Sequence, residues 1–253
     1  MKCLILAAGY ATRLYPLTEN FPKPLLMVGE KTILDWLVDD LASSGKIDAF
    51  IVVSNHRYVG SFEEWSRTKT QNITVLDDGS TENDNRLGAV KDIQFAVERC
   101  QIDEDLLVIA GDNVLDFSLN RLLEYAEEKK TSCILRYYEN DEKKLPRCGV
   151  VTVAEDDLVL EMTEKSPTPA THWCCPPFYY YIRKDVHRVR EGIESGCGTD
   201  APGSYLSWLC GQTRIHAMVM PGSRYDIGNM ESYRHVQTVY KGITKAGQSS
   251  SEQ

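Results

Sequence analysis

The chain has 253 residues and is 42% apolar, enough for a core and far from the composition of a disordered chain. Its 28 basic residues against 37 acidic ones leave a net charge of −9, which excludes a general nucleic-acid or anionic-membrane binder needing a basic surface. No window approaches the roughly 18 apolar residues of a membrane-spanning helix, and the N-terminus has no cleavage-site region; a soluble, cytoplasmic protein is expected.

Eight cysteines stand at positions 3, 100, 133, 148, 174, 175, 197 and 210. None pairs at the spacing of a zinc site, and the five histidines are scattered. Reduced thiols acting as small hydrophobes are expected, rather than disulfides or a metal cluster.

Residues 2–8 are an apolar run closed by Gly9, the pattern of a strand buried on both faces. A polar loop leads to Lys23, then to Pro24-Leu25-Leu26-Met27-Val28 and a turn at Gly29-Glu30-Lys31. Thr32 is placed to N-cap a helix whose apolar positions Ile33, Trp36, Leu37 and Leu41 fall at helical spacing, with Ser43-Ser44-Gly45 as the stop. A second strand is expected at 49–53, a helix at 62–67, a strand at 73–76, a helix at 89–99 and a buried strand at 106–110 that ends in Gly111-Asp112-Asn113. Strand–helix alternation with fully apolar strands implies βαβ units and a mostly parallel sheet. After a helix at 119–130 the strands become shorter and more polar, at 132–138, 149–153, 159–164 and 178–182, the texture of a mixed sheet with insertions. A last strand at 216–220 and a helix from Met230 to about Tyr240 close the pattern, and the small polar run at 246–251 is expected to fray. No repeat or linker interrupts the chain, so one domain is expected over 1–242, followed by a flexible tail at 243–253.

The densest chemistry lies in Leu6-Ala7-Ala8-Gly9-Tyr10-Ala11-Thr12-Arg13-Leu14-Tyr15-Pro16-Leu17-Thr18, followed by Pro22-Lys23-Pro24-Leu25. Small residues after a buried strand let the backbone approach a ligand and aim N–H groups at phosphate oxygens. Arg13 and Lys23 add a guanidinium that grips two oxygens and an ammonium that acts as a point charge. The phosphate loop of NTPases is excluded because no GK[ST] occurs, and a dinucleotide fingerprint because there is no G-x-G-x-x-G. Taken alone, the small residues are equally a sharp strand-to-helix turn.

In full, the segment resembles the signature of the nucleotidyltransferases that activate sugar phosphates, the NDP-sugar pyrophosphorylases, and in particular the glucose-1-phosphate thymidylyltransferases. Ala11 stands where many members have Gly. The resemblance continues through Leu87-Gly88-Ala89, Gly111-Asp112-Asn113, Gly149-Val150-Val151, Glu164-Lys165-Ser166-Pro167 and Asp226-Ile227-Gly228, in the family's order. It implies a three-layer Rossmann-like α/β fold with a mostly parallel mixed central sheet. It also implies an Mg²⁺-dependent condensation of a nucleoside triphosphate with a sugar-1-phosphate to an NDP-sugar and pyrophosphate.

Carried over residue by residue, the resemblance assigns Leu6 to Arg13, Gly88 and Asp112 to nucleotide binding, and Arg13, Lys23 and Asp112 to catalysis. Asp112 and Asp226 would hold Mg²⁺, two hard carboxylates suiting an ion that keeps several waters. Gly149, Glu164 and Lys165 would bind the sugar phosphate, Glu164 accepting hydroxyls and Lys165 neutralising phosphate. The family's Glu-Lys-Pro is here Glu-Lys-Ser-Pro. In Trp173-Cys174-Cys175-Pro176-Pro177-Phe178-Tyr179-Tyr180-Tyr181, alternation puts Phe178 and Tyr180 on one face; one face is core, and Tyr180 is the candidate for the sugar pocket. The loop Thr199-Asp200-Ala201-Pro202-Gly203-Ser204, entering a helix, is a further acceptor candidate, and His56 is read as a surface-loop residue.

UTP, CTP and dTTP stay open as donors, because the stretch from Asp77 to Arg86 lacks the Gln-Pro pair of thymidylyltransferases. A compact unit without their long C-terminal extension is expected, acting on small molecules rather than nucleic acid or membrane, with a homo-oligomer left open. Two alternatives stand beside this reading. One is a cytidylyltransferase for a phospho-alcohol such as phosphocholine, using Trp173 and Tyr179 to Tyr181 as an aromatic cage. The other is a non-catalytic nucleotide-binding relative.

Overall fold

In a computed structural model of the chain, residues 1–244 are described, so the expected fraying at 246–251 lies outside the described residues. Of the tail expected from 243 onward, Thr244 donates its backbone N–H to Asp116 O at 2.9 Å. The first half of the chain forms β1 (Lys2–Leu6), β2 (Met27–Val28), β3 (Lys31–Thr32), α1 (Ile33–Ala42), β4 (Ala49–Ser54), α2 (Val59–Arg67), β5 (Ile73–Asp77), α3 (Ala89–Arg99), β6 (Leu106–Ala110), β7 (Asn113–Leu115) and α4 (Asn120–Lys129). The second half forms β8 (Ser132–Tyr138), β9 (Gly149–Val153), β10 (Val159–Glu164), β11 (Trp173–Cys175), β12 (Phe178–Tyr181), α5 (Arg183–Val186), α6 (Val189–Glu194), α7 (Gly203–Leu209), β13 (Ile215–Val219), β14 (Arg224–Asp226) and α8 (Met230–Val239).

The chain divides into two compact units: residues 1–4, 87–109 and 122–220, and residues 5–86, 110–121 and 221 onward. In the first unit the strands follow the order β10-β9-β11-β8-β12-β6, with β13 beside β8. The pairings along this path that run through β9, β11 and β12 are antiparallel, while β13 runs parallel to β8 with Ile215 opposite Ser132. Its interior is mostly apolar: Leu106 to Ile109, Cys133 to Leu135, Phe178, Tyr181, Tyr205 and Leu206 are all buried, and of the polar residues enclosed with them Ser132 donates to Asp185 at 2.6 Å.

The second unit holds the parallel pair β4–β5, in register from Phe50 opposite Ile73 to Ser54 opposite Asp77, and the antiparallel ribbon β7–β14. Every residue of β4 is buried, which is why its run is apolar without alternation. The capping of α1 explains where it starts: Thr32 Oγ1 accepts from Asp35 N at 3.0 Å and the Asp35 carboxylate accepts from Thr32 N at 3.2 Å. Such a reciprocal cap is worth about 1 kcal/mol. The buried stripe of α1 delivers Ile33 to a cluster with Leu14, Leu26, Val28, Val114, Ile227, Val236 and Tyr240. Leu14 and Ile227 of this cluster lie next to Arg13 and Asp226, so it packs beside two of the residues singled out in the sequence.

The mixed sheet with flanking helices is the α/β class expected, and most elements lie within a few residues of their expected places. The short strands β7, β11 and β14, and the helices α5 and α6, were not anticipated. At three residues a strand is too short to show alternation. All eight cysteines are free thiols, four of them buried. No helix among the described residues is long and apolar enough to cross a membrane.

Candidate active site

In the second unit, β1 ends at Leu6 and the chain turns through Ala7 and Ala8, both buried. Ala7 donates to Val53 O at 2.9 Å, and Leu6 O accepts from Gly111 N at 3.2 Å. The Asn55 side chain, fully buried just after β4, donates to Ala8 O at 3.0 Å and accepts from Tyr58 N at 3.1 Å. Tyr58 in turn donates to Thr18 O at 2.6 Å, and Thr18 Oγ1 to Ala11 O at 2.8 Å. The loop is therefore fastened by Asn55 and Tyr58 from outside it and by the Thr18 hydroxyl at its own far end. Tyr10 is buried and donates to Ser80 O at 3.0 Å, so its ring is committed to the fold.

Gly9 lies between these fastenings, and a Cβ added there would meet nothing within 4 Å. Packing thus does not account for this glycine; open space on its Cα does suit a ligand approaching the backbone. Ala11 adopts the left-handed conformation at φ 47°, ψ 41°, where glycine is favoured, and opens the 3₁₀ turn Thr12–Leu14. That turn buries Leu14 and leaves Arg13 exposed, with no ion-pair partner among the described residues.

Lys23 opens the 3₁₀ turn Lys23–Leu25, where the flanking Pro22 and Pro24 hold the backbone. Its nearly buried ammonium lies 2.8 Å from Asp112 Oδ2. Gly111, before Asp112, is tight: a Cβ there would lie 3.2 Å from both Ile5 and Pro24. The ribbon β7–β14 sets Asp226 opposite Asn113, next to Asp112, and Ile227 N points at Asp112 O at 3.4 Å. Asp112 Oδ1 accepts from Asn113 Nδ2 at 2.6 Å, and Asn113 Oδ1 accepts from Arg224 at 2.7 Å. The Asp112 side chain is 39% exposed, so water reaches it although protein crowds around it.

Desolvation works against ionising Asp112, but the Lys23 ammonium, and Arg224 after it, outweigh this and hold the carboxyl below its ordinary value. Asp226 goes the other way. Desolvation first, and the charge of Asp112 second, raise its carboxyl against the pull of Arg224, Lys23 and Arg13. Two carboxylates and three cations therefore share one electrostatic neighbourhood.

In the first unit, Gly149 and Glu164 are cross-strand partners in β9–β10. A Cβ on Gly149 would lie 2.6 Å from Met162 Cε and 3.0 Å from Glu164 Oε2; one on Gly203 would lie 1.9 Å from that same oxygen. Lys165, at φ 52°, donates its N–H to Cys148 O at 3.0 Å and extends its ammonium to within 3.9 Å of Asp200 Oδ2. Desolvation, and then the Asp200 charge, raise the Glu164 carboxyl, with Lys165 opposing. Gly88, at φ 92°, precedes α3; a Cβ there would lie 2.5 Å from Thr199 O, and Ala89 N donates to Asp200 O at 3.2 Å.

Gly149, Glu164 and Lys165 thus come together, joined by Asp200 and Gly203 of the loop singled out in the sequence. Tyr180 does not join them. Its ring is buried in β12 opposite Leu107 and Cys133, and its hydroxyl donates to Asp105 at 2.6 Å, so this residue belongs to the core. His56 lies on the surface, 2.6 Å from Asp77. Sequence reasoning gives no role to Asn55, Asn113 or Arg224. Asn55 does carry a local signal, a polar residue straight after a buried strand.

The nucleotidyl transferase family model matches residues 2–242. The chain is 25% identical over 232 residues to the UTP–glucose-1-phosphate uridylyltransferase AglF of Haloferax volcanii, covering 91% of this chain and 93% of that one. It is 24% identical over 231 residues to the bifunctional protein GlmU of Methanocaldococcus jannaschii, covering 90% of this chain and 51% of the relative, so it spans about half the length of that protein. Its fold matches a UDP-glucose pyrophosphorylase crystallised with UDP-glucose, at a TM-score of 0.81 and 18% identity, covering 94% and 97% of the two chains. With the family's pattern spanning nearly all of the sequence, the chain belongs to the nucleotidyl transferase family.

Proposed function

We propose that this chain condenses a nucleoside triphosphate with a sugar-1-phosphate, giving an NDP-sugar and pyrophosphate. The observation that carries this reading is the grouping of Asp112 and Asp226 with Lys23, beside a backbone loop whose Gly9 is open and whose Arg13 is unpaired. The Haloferax relative, a UTP–glucose-1-phosphate uridylyltransferase, supports sugar-1-phosphate as the acceptor class.

The reaction needs little covalent chemistry from the protein. An acceptor phosphate oxygen attacks the α-phosphorus and pyrophosphate leaves in line, so positioning and charge neutralisation dominate. N–H groups of the loop around Gly9 bind phosphate oxygens, and Arg13 takes up the charge growing on the leaving pyrophosphate. Lys23, held by Asp112, is a fixed positive point beside the phosphates. On the acceptor side, Lys165 neutralises the sugar phosphate and Glu164 accepts sugar hydroxyls.

The residues present fit Mg²⁺. Asp112 and Asp226 are hard oxygen donors that repel each other in this structure, and no third acidic, His or Cys ligand groups with them among the described residues, as suits an ion that keeps its waters. These two carboxylates would hold it, and when bound it supplies further neutralisation of phosphate charge.

The phospho-alcohol alternative draws no support from the aromatic residues. Tyr179, Tyr180 and Tyr181 are buried, and the Trp173 ring is already covered by the Arg136 guanidinium at 4.9 Å. A pyrophosphate-release matrix decides the matter: each NTP and dTTP against hexose-1-phosphates, amino-sugar phosphates, phosphocholine and phosphoethanolamine, with Mg²⁺ and an Asp112→Asn control. Release with a sugar phosphate, reduced about a hundredfold or more in the control, is expected. Release only with phosphocholine or phosphoethanolamine would overturn the acceptor class, and triphosphate binding with no release would overturn the enzyme reading.

A further inference from the structure

Asp112 is held from both sides. Lys23 donates to Oδ2 at 2.8 Å and Asn113 Nδ2 to Oδ1 at 2.6 Å. A side-chain amide can present either end to a neighbour, and only its partners decide which. Here the deciding partner is Arg224, whose guanidinium can only donate and lies 2.7 Å from Asn113 Oδ1. With the amide oxygen committed to Arg224, the amide nitrogen is left facing Asp112. The opposite orientation would set an amide oxygen against a carboxylate and an amide N–H against a guanidinium, losing both bonds. Asn113 is enclosed by protein, 1% exposed, so water cannot take the place of either partner.

Arg224 also lies on the same three-residue strand as Asp226, two positions away and therefore on the same face. One strand thus delivers a carboxylate directly and fixes the aim of the other through Asn113. We propose that Arg224 and Asn113 are positioning residues that set the Asp112 carboxylate for a divalent cation bound with the nucleotide, Arg224 acting by locking the Asn113 amide. Arg224 bears on both carboxylates electrostatically as well, lowering each, which agrees with its place beside them. The inference rests on the two-carboxylate reading of the cation site.

The test compares Arg224→Met, which removes the donor, with Arg224→Lys, which keeps one and so keeps the amide in place. Binding of the Mn²⁺ complex of the triphosphate the protein turns over is followed by water-proton relaxation, without acceptor, with thermal melting measured alongside and Asp226→Asn as reference. Arg224→Met is expected to weaken the Mn²⁺–nucleotide complex by about tenfold, as loss of a ligand's orienting partner does, and Arg224→Lys to recover most of that loss at a similar melting temperature. Wild-type binding in Arg224→Met, with Asp226→Asn impaired, overturns the relay and leaves the carboxylate site standing. Equal weakening in the Lys and Met variants also overturns it, since a donor would then not be what matters. Unimpaired binding in Asp226→Asn overturns the site, and the relay with it.

Discussion

The loop after β1 and the strands β9–β10 both place glycines among charged side chains, yet the glycines do different work. Around Gly9 there is room, and the nearest fastenings, Asn55 on one side and Thr18 on the other, hold the backbone without filling the space over its Cα. Around Gly149 and Gly203 there is none, because Met162 and the Glu164 carboxylate already occupy the space a Cβ would need. A glycine in a binding motif can thus serve a ligand or serve a side chain of its own fold. The two cases look identical in sequence and are told apart only by what stands over the Cα.

Gly88 belongs to the crowded class, and its replacement is expected to have the largest structural effect. Gly88→Ala would combine φ 92° with a Cβ 2.5 Å from the Thr199 carbonyl oxygen, a backbone atom that cannot swing away. A loss of about 3 kcal/mol or more is expected, read as a fall in the denaturation midpoint at unchanged m-value. A loss below about 1 kcal/mol would show that the 199–200 loop yields easily. Gly9→Ala is expected to do the opposite, leaving the melting temperature within about 1 °C of wild type while kcat/KM for the triphosphate falls about tenfold, or roughly 1.4 kcal/mol. Wild-type kinetics in that variant would dissolve the distinction between the two classes.

The same division explains how much could be read beforehand. The start of α1 was legible because Thr32 and the periodic Ile33, Leu37 and Leu41 are local signals that agree with one another. The loop after β1 and the carboxylates Asp112 and Asp226 were legible as a motif. The fastening of that loop was not, because Asn55 and Ala8 are 47 residues apart and meet only once β1 and β4 are formed. Arg224 was illegible for a related reason: its partner Asn113 is reached through a ribbon of three-residue strands. Tyr180 misled because alternation identifies two faces of a strand but not which of them is core; β12 has neighbours in the sheet on both sides, and all four of its residues are buried.

A smaller effect sharpens the crowded side. The Glu164 carboxyl is raised by desolvation and by the Asp200 charge, so its ionised form costs the folded state free energy. For a carboxyl whose folded value lies above its unfolded one, this cost is absent at pH below the unfolded value and fully present above the folded value. Glu164→Gln should therefore melt higher than wild type at neutral pH, with the advantage fading as pH falls toward about 4. The same variant should raise KM for the acceptor. Equal melting at all pH values would mean that Lys165 balances the carboxylate completely.

The smallest effect tests the open side. Ala11 sits at φ 47°, where an L-residue costs about 1 kcal/mol relative to glycine. Its methyl group is partly buried against the cluster around Leu14, and losing that contact takes back about half of the gain. Ala11→Gly should then raise the melting temperature by about 1–2 °C. The sign carries the information. A rise means that the loop bears strain which glycine relieves, so its shape is imposed by Asn55 and Tyr58 from outside and by the Thr18 hydroxyl at its end. A fall means that the Ala11 methyl is itself one of the fastenings, and that the loop beside Gly9 is held by packing as well as by hydrogen bonds.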